Sequence, residues 1–301
     1  MKIKISLTIL IYLIINSLPA YCQADKDILT RLQALNNNSF VFYNIDGIEI
    51  TSQNSDNEFT KKNILKKFKL FSIKESELIN SDSLIKQNNF VVKKQVEEVE
   101  GIKEYSNYYF IENSEKKIVA ITFAQTNKND HNFEREFITL ILENKIPENV
   151  FSNMQIDSIN FAGRKIALGK SCNWMGVNNV QCSSYGQMNW SVHKTFDDAI
   201  LSTTSQANKT KANKKAKLVS ETNVPVVFEG QEIEAKKTIY DFNGVSGLLT
   251  GMTGSKTLII FYVSAPVRQN FVSCVMSFWT NDNIRPSGLP GLLEEVMTLK
   301  K

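Results

Sequence analysis

Two histidines, His131 and His193, and four cysteines are all that occur among 301 residues. That excludes a multi-histidine metal centre and leaves at most two candidates for a histidine-based catalytic site. Arginine is also rare. Only five of the 35 basic residues are Arg, and 31 acids oppose them for a formal charge of +4. A nucleic-acid reader relies on guanidinium forks and a basic face, so no nucleic-acid partner is expected. Six Pro and 13 Gly are too few for a low-complexity or collagen-like chain. Neither a Gly-x-Ser-x-Gly elbow, a His-Glu-x-x-His pair nor an EF-hand loop occurs. GMTGSKT, 251–257, has the look of a phosphate loop. However, Ser255 parts Gly254 from Lys256, and a strand-like LIIFYV follows in place of a helix. A hairpin turn is expected there.

Hydrophobic residues make up 42% and charged residues 22% of the chain, a globular composition. Residues 1–24 are laid out as a secretory leader. Lys2 and Lys4 precede the apolar run ISLTILIYLIINSL, then Pro19 and small residues follow. Cleavage after Cys22 or after Ala24 is expected, and with it a periplasmic or extracellular protein. The alternative is an anchor through residues 5–24, just long enough to span a bilayer. Tyr21 stands where a lipidated cysteine is preceded by a small residue, which argues against acylation of Cys22. Without Lys2 and Lys4 the balance is 33 basic to 31 acidic residues, a near-neutral surface. Abundant Asn and Lys fit an AT-rich bacterial genome.

Two halves follow, 25–150 and 151–301. In the first, FVFYNIDGIEITSQ places Asp46-Gly47 between β-formers, a hairpin signal. Ile64, Leu65, Phe68 and Phe71 then share a helical face opposite Lys62, Lys66 and Lys69. Strand patterns begin at 90, 105 and 117. A helix closes the half, with Phe133, Phe137, Leu140 and Ile141 on one face, Asp130 or Asn132 as cap and Pro147 as stop. In the second, Asn160-Phe161-Ala162-Gly163 parallels Asn44-Ile45-Asp46-Gly47. A helix starts near Phe196 and carries Ile200, Thr203 and Ala207 on its stripe. Strands occupy VPVVFEGQEIEAKKTIYDF, KTLIIFYVSAP and NFVSCVMSFW, and LPGLLEEVMTLKK is a final short helix. The expected fold class is α+β: two tandem similar units, each an antiparallel sheet with helices packed on one face. KTKANKKAK, 209–217, would set Lys211 and Lys214 on the buried line, so the helix should leave the sheet near Asn208 or give way to a solvated loop.

The order of elements in each half resembles the α+β sandwich of the Mog1/PsbP-like and DcrB-like proteins. That fold hosts envelope lipoproteins, photosystem accessory proteins and small binding proteins, so the resemblance implies no single activity and transfers no site residue.

Residues 169–190 have no counterpart in the first half and are expected to form an inserted loop. They hold Cys172, Cys182, Trp174, Tyr185 and Trp190. A Cys172–Cys182 disulfide would close an eleven-residue loop, as suits an exported protein. The alternatives are a metal site with His193, a cysteine nucleophile with His193 as base, or free buried thiols. Trp174, Tyr185 and Trp190 are candidate ligand-binding residues, although the tryptophans could equally fold back over the sheet. Cys274 lies in an apolar run and reads as core. The chain is therefore expected to be a non-enzymatic exported binding module that takes a protein, peptide or glycan of the envelope. No cofactor and no metal are expected, and membrane contact is expected only through an uncleaved leader. A hydrolase or thiol enzyme centred on Cys172, Cys182 and His193, and an immunity or inhibitor protein, are the alternatives.

Overall fold

The computed structural model describes residues 28–213, 216–242 and 257–300. The expected leader, the expected turn at GMTGSKT up to Lys256, Lys214 and Lys215 lie outside the described residues.

The chain is mixed α+β and mostly sheet. The first sheet contains β1 (Gln33–Asn37), β2 (Phe40–Ile45), β3 (Ile48–Glu58), β4 (Asn89–Val99), β5 (Ile102–Glu112), β6 (Lys117–Thr126) and β7 (Phe151–Ser152). Their order is β4-β5-β6-β3-β2-β1-β7. α1 (Lys61–Lys67) separates β3 from β4, and α2 (His131–Leu142) follows β6. The second sheet contains β10 (Cys172–Gly176), β11 (Asn179–Cys182), β12 (Gly186–His193), β13 (Lys217–Phe228), β14 (Gln231–Asp241), β15 (Thr257–Val267), β16 (Asn270–Trp279) and β17 (Met297–Leu299). Their order is β10-β11-β12-β16-β15-β14-β13-β17. α3 (Phe196–Ala212) lies between β12 and β13, and α4 (Gly291–Glu294) precedes β17. β8 (Ser158–Phe161) and β9 (Arg164–Ala167) form a separate two-stranded ribbon.

Both large sheets are wound alike. A three-strand meander leads into a helix, and its last strand pairs with the last strand of a second meander, β3 with β6 and β12 with β16. Period-two alternation fixes which side chains face which layer. On β6, Val119, Ile121 and Phe123 point into one core with Phe137, Ile138 and Leu140 of α2. Ile118 and Ala120 point into the opposite core with Ile64 and Phe68 from α1 and its end. The helices therefore cover both faces of the first sheet, not one face as the pattern suggested. The sheet is too apolar on each side to leave either in water. In the second sheet, Ala207 of α3 packs with Tyr240, Ile260 and Tyr262. The other face is covered by the β8–β9 ribbon and α4, through Ile159, Phe161, Leu292 and Leu293.

Further expectations change. Residues 169–190 are not a loop over the sheet but β10, β11 and the start of β12, so the ribbon at 158–167 is the piece outside the sheet. The last segment is helical only to Glu294. Met297–Leu299 then pair antiparallel with Val226–Phe228, because the edge of β13 offers free backbone groups. β7 runs parallel to β1, so the first sheet is not wholly antiparallel. α3 stays helical to Ala212, and Lys211 points out to Glu221 at 3.3 Å. Its buried residues are Ala199, Thr203, Ser205 and Ala207, while Phe196 and Ile200 of the expected stripe are exposed.

Candidate functional site

The two sheets meet where the β2–β3 turn docks on β12. Asp46 and Gly47 have φ of 51° and 77°, the left-handed pair of a type I′ turn. The Asp46 amide donates to Val192 O at 3.0 Å, and the Lys194 amide donates to Asp46 Oδ1 at 2.8 Å. Arg31 holds both Asp46 oxygens from the other side, at 2.9 and 3.0 Å. Gly47 lies against the His193 ring, where a Cβ would come within 3.1 Å of Cε1. His193 is buried. Its Nε2 is 2.8 Å from Ser273 Oγ, and Nδ1 has no partner among the described residues. Burial pushes its pKa down to about 4, with Asp46 and Asp198 opposing that only in part. The ring is neutral at physiological pH and serves as a seat for the turn.

Beside this contact runs a groove of about 310 Å³ with walls from both halves. Its residues include Asn44, Tyr105, Ser106, Asn189, Ser205 and Gln206. Two of its lysines are paired across the seam. Lys209 of α3 binds Glu104 at 2.7 Å and donates to Thr126 Oγ1 at 3.1 Å. Lys128 pairs with Asp198. Burial would raise the Asp198 carboxyl, but its bonds to Lys128 and Thr195 outweigh that and hold it below the usual range. Asn44 Oδ1 is buried and has no protein partner among the described residues.

Of the residues singled out from the sequence, His193 lies here and the others lie elsewhere. Cys172 and Cys182 are bonded to each other and face one another directly on β10 and β11. His193 stands seven residues along β12 from Gly186, the pairing partner of Cys182. At about 3.3 Å per residue that is roughly 23 Å. The structure does not bring thiol and imidazole together, so neither the thiol dyad nor the metal site with His193 can form. Trp190 is 1% exposed, with its ring 5.5 Å from Phe161. It is core, not a ligand-binding side chain, because β12 runs through the middle of the sheet. Trp174 is half-buried against the same core and its indole N–H donates to Asn153 O at 2.9 Å. Tyr185 is 40% exposed and borders a depression of about 380 Å³ with Cys172, Cys182 and Arg285.

His131, the other histidine, has an orienting partner. Glu134, 0% exposed on α2, accepts from His131 Nδ1 at 2.8 Å. It also accepts from Tyr109 Oη, Asn107 Nδ2 and Gln125 Nε2, each at 2.6 Å. Lys93 Nζ lies 2.9 Å from His131 Nε2. The missed signal was the three-residue spacing of His131 and Glu134, which puts both on one helical face. Burial, and then the Glu134 carboxylate, raise the Tyr109 hydroxyl well above its ordinary value, so it remains a donor.

No protein-family model and no curated protein sequence matches the chain. Among solved structures the chain is similar to the di-domain aromatase/cyclase StfQ from the steffimycin biosynthetic pathway, at 10% identity. That match covers 88% of this chain and 77% of the other with a TM-score of 0.17, a likeness too slight to carry a fold or a function.

Proposed function

We propose that this is an exported binding protein of the bacterial envelope or exterior, built from tandem α+β units spanning 25–150 and 151–301. Its ligand is a neutral, polar molecule of the glycan class. The observation that carries this is the groove shared by the two halves. Its volume of about 310 Å³ suits a small ligand, and its walls are rich in amide and hydroxyl side chains. Tyr105 offers a ring face for a sugar. Lys209 and Lys128 are already neutralised by Glu104 and Asp198, so the groove does not demand a charged ligand. The Cys172–Cys182 bond fits an oxidising compartment, and no helix among the described residues is long and apolar enough to cross a membrane. The bonded cysteines and the remote His193 favour binding over thiol chemistry.

The test is calorimetric titration of the protein with neutral envelope oligosaccharides and with short peptides. We expect saturable binding of an oligosaccharide, at least tenfold weaker in Tyr105→Ala and in Gln206→Ala, which corresponds to about 1.4 kcal/mol each. Melting temperatures should be unchanged. Binding that survives both changes would place the ligand elsewhere, and preference for a peptide would overturn the glycan class.

A further inference from the structure

A lysine-rich segment without acids lies outside the lining of this groove. Residues 61–74, KKNILKKFKLFSIK, hold six lysines and no acid. They form α1 and then a tight 3₁₀ turn over Lys69–Phe71. Thr60 caps the start by accepting from the Asn63 amide at 3.2 Å. Ile64 and Phe68 are buried, and Leu65, Phe71 and Ile73 pack beside them on the outer face of the first sheet. Lys94 Nζ clamps the far end by donating to Phe71 O at 3.1 Å and Ser72 O at 2.9 Å. Between these anchors Leu70 is 96% exposed. In the same segment Lys62, Lys66, Lys67, Lys69 and Lys74 are exposed, and none has an ion-pair partner among the described residues. The fold holds a leucine in water within a run of unpaired lysines.

We propose that this turn is a docking surface for an anionic lipid membrane. Unpaired ammonium groups gain from a negatively charged headgroup layer, and the attraction adds with each lysine brought near it. A soluble polyanion would satisfy the lysines but offer nothing to Leu70. An apolar side chain gains only where hydrocarbon lies beneath the charge, as at a membrane interface. Rigid anchoring by Phe68, Phe71 and Lys94 means that little ordering is lost on contact. Such contact is separate from the leader, and it would bring the groove protein to the membrane from the aqueous side.

The test is co-sedimentation of the full chain with phosphatidylcholine vesicles, with and without phosphatidylglycerol. Residues 1–24 carry Lys2 and Lys4 but are the same in parent and variants, so the readout is the part of the difference between vesicle types that the variants remove. We expect phosphatidylglycerol to strengthen binding about tenfold or more, with the gain shrinking as salt rises. Lys66→Glu/Lys67→Glu/Lys69→Glu should abolish that gain. Leu70→Ser should weaken it about fivefold and leave the salt dependence intact. These residues are exposed, so the variants should melt like the parent. The inference fails if phosphatidylglycerol gives no gain, or if the triple variant keeps it. It fails also if Leu70→Ser binds like the parent while heparin competes fully, which would mark a site for soluble polyanions.

Discussion

Glu134 accepts four hydrogen bonds, and none comes from a lysine or an arginine. Asn107, Gln125 and Tyr109 donate to it and His131 closes the fourth position, so its acceptor sites are filled by fixed side chains. Tyr109→Phe removes one donor and should cost about 1–2 kcal/mol. Glu134→Gln sets an amide donor against other donors and should cost roughly 3 kcal/mol or more. Urea unfolding of both variants checks the order. Equal losses would mean that the amide at 134 finds acceptors of its own in this pocket. Gly47 is the second sensitive residue. Its φ of 77° disfavours any Cβ, and the His193 ring fills the space one would need. Gly47→Ala should destabilise by about 2 kcal/mol or more, beyond the 1–2 kcal/mol of the left-handed backbone alone. A loss near zero would show that the turn can lift off β12 freely.

At the scale of elements, what could be read from the chain was what neighbours along it decide. β6 and β16 fall on the runs KIVAITFAQT and NFVSCVMSFW, since both are short apolar runs rich in β-branched and aromatic residues and lead into turn residues. α2 starts where Asp130 caps it, with Oδ1 accepting from the Asn132 and Phe133 amides. The Met297–Leu299 strand was illegible because its partner, Val226–Phe228, lies about 70 residues away, and the local sequence suits a helix equally well. The β8–β9 ribbon was recognised as a hairpin but not as a cover for the opposite face, a matter of tertiary packing. Of the groove, the Asp46-Gly47 turn was visible and its docking on β12 was not. The β10–β11 hairpin also owes its order to a bond that sequence could only suggest. Cys172 and Cys182 are ten residues apart, so the cross-link removes about 3 kcal/mol of unfolded-chain entropy. Cys172→Ser/Cys182→Ser should lower the unfolding free energy by about that amount while the far edge at β4–β5 keeps its amide protection. Melts with and without a reductant on the parent should reproduce the shift. A change well under 1 kcal/mol would mean that pairing with β12 alone fixes the hairpin.

Across the whole molecule the halves are joined by a charged and hydrogen-bonded seam in which His193 is the one buried imidazole. Around it stand Asp46 on the docked turn, Arg31 behind that turn, Lys194 at the end of β12, Asp198 on α3 and Lys128 beyond β6. Burial is the largest influence and leaves the pKa near 4; Lys128 and Arg31 add to it, while Asp46 and Asp198 oppose it. The unfolded chain binds a proton at about 6.5. Folding stability supplied by the neutral ring is therefore fully present above pH 6.5 and is lost as the pH falls towards 4. A shift of that size corresponds to about 3 kcal/mol. Asp82, Asp198 and Glu221, whose carboxyls are held low by Arg135, Lys128 and Lys211 after burial has opposed them, lose their contribution only nearer pH 4 and below. The interval from 6.5 to 5 therefore isolates the histidine. Urea midpoints across that interval should fall steadily in the parent. In His193→Gln they should start lower and stay flat, since an amide can still reach Ser273 but takes up no proton. A parent with flat midpoints would mean that His193 is solvated in the folded protein and that the β2–β3 turn does not seal the seam.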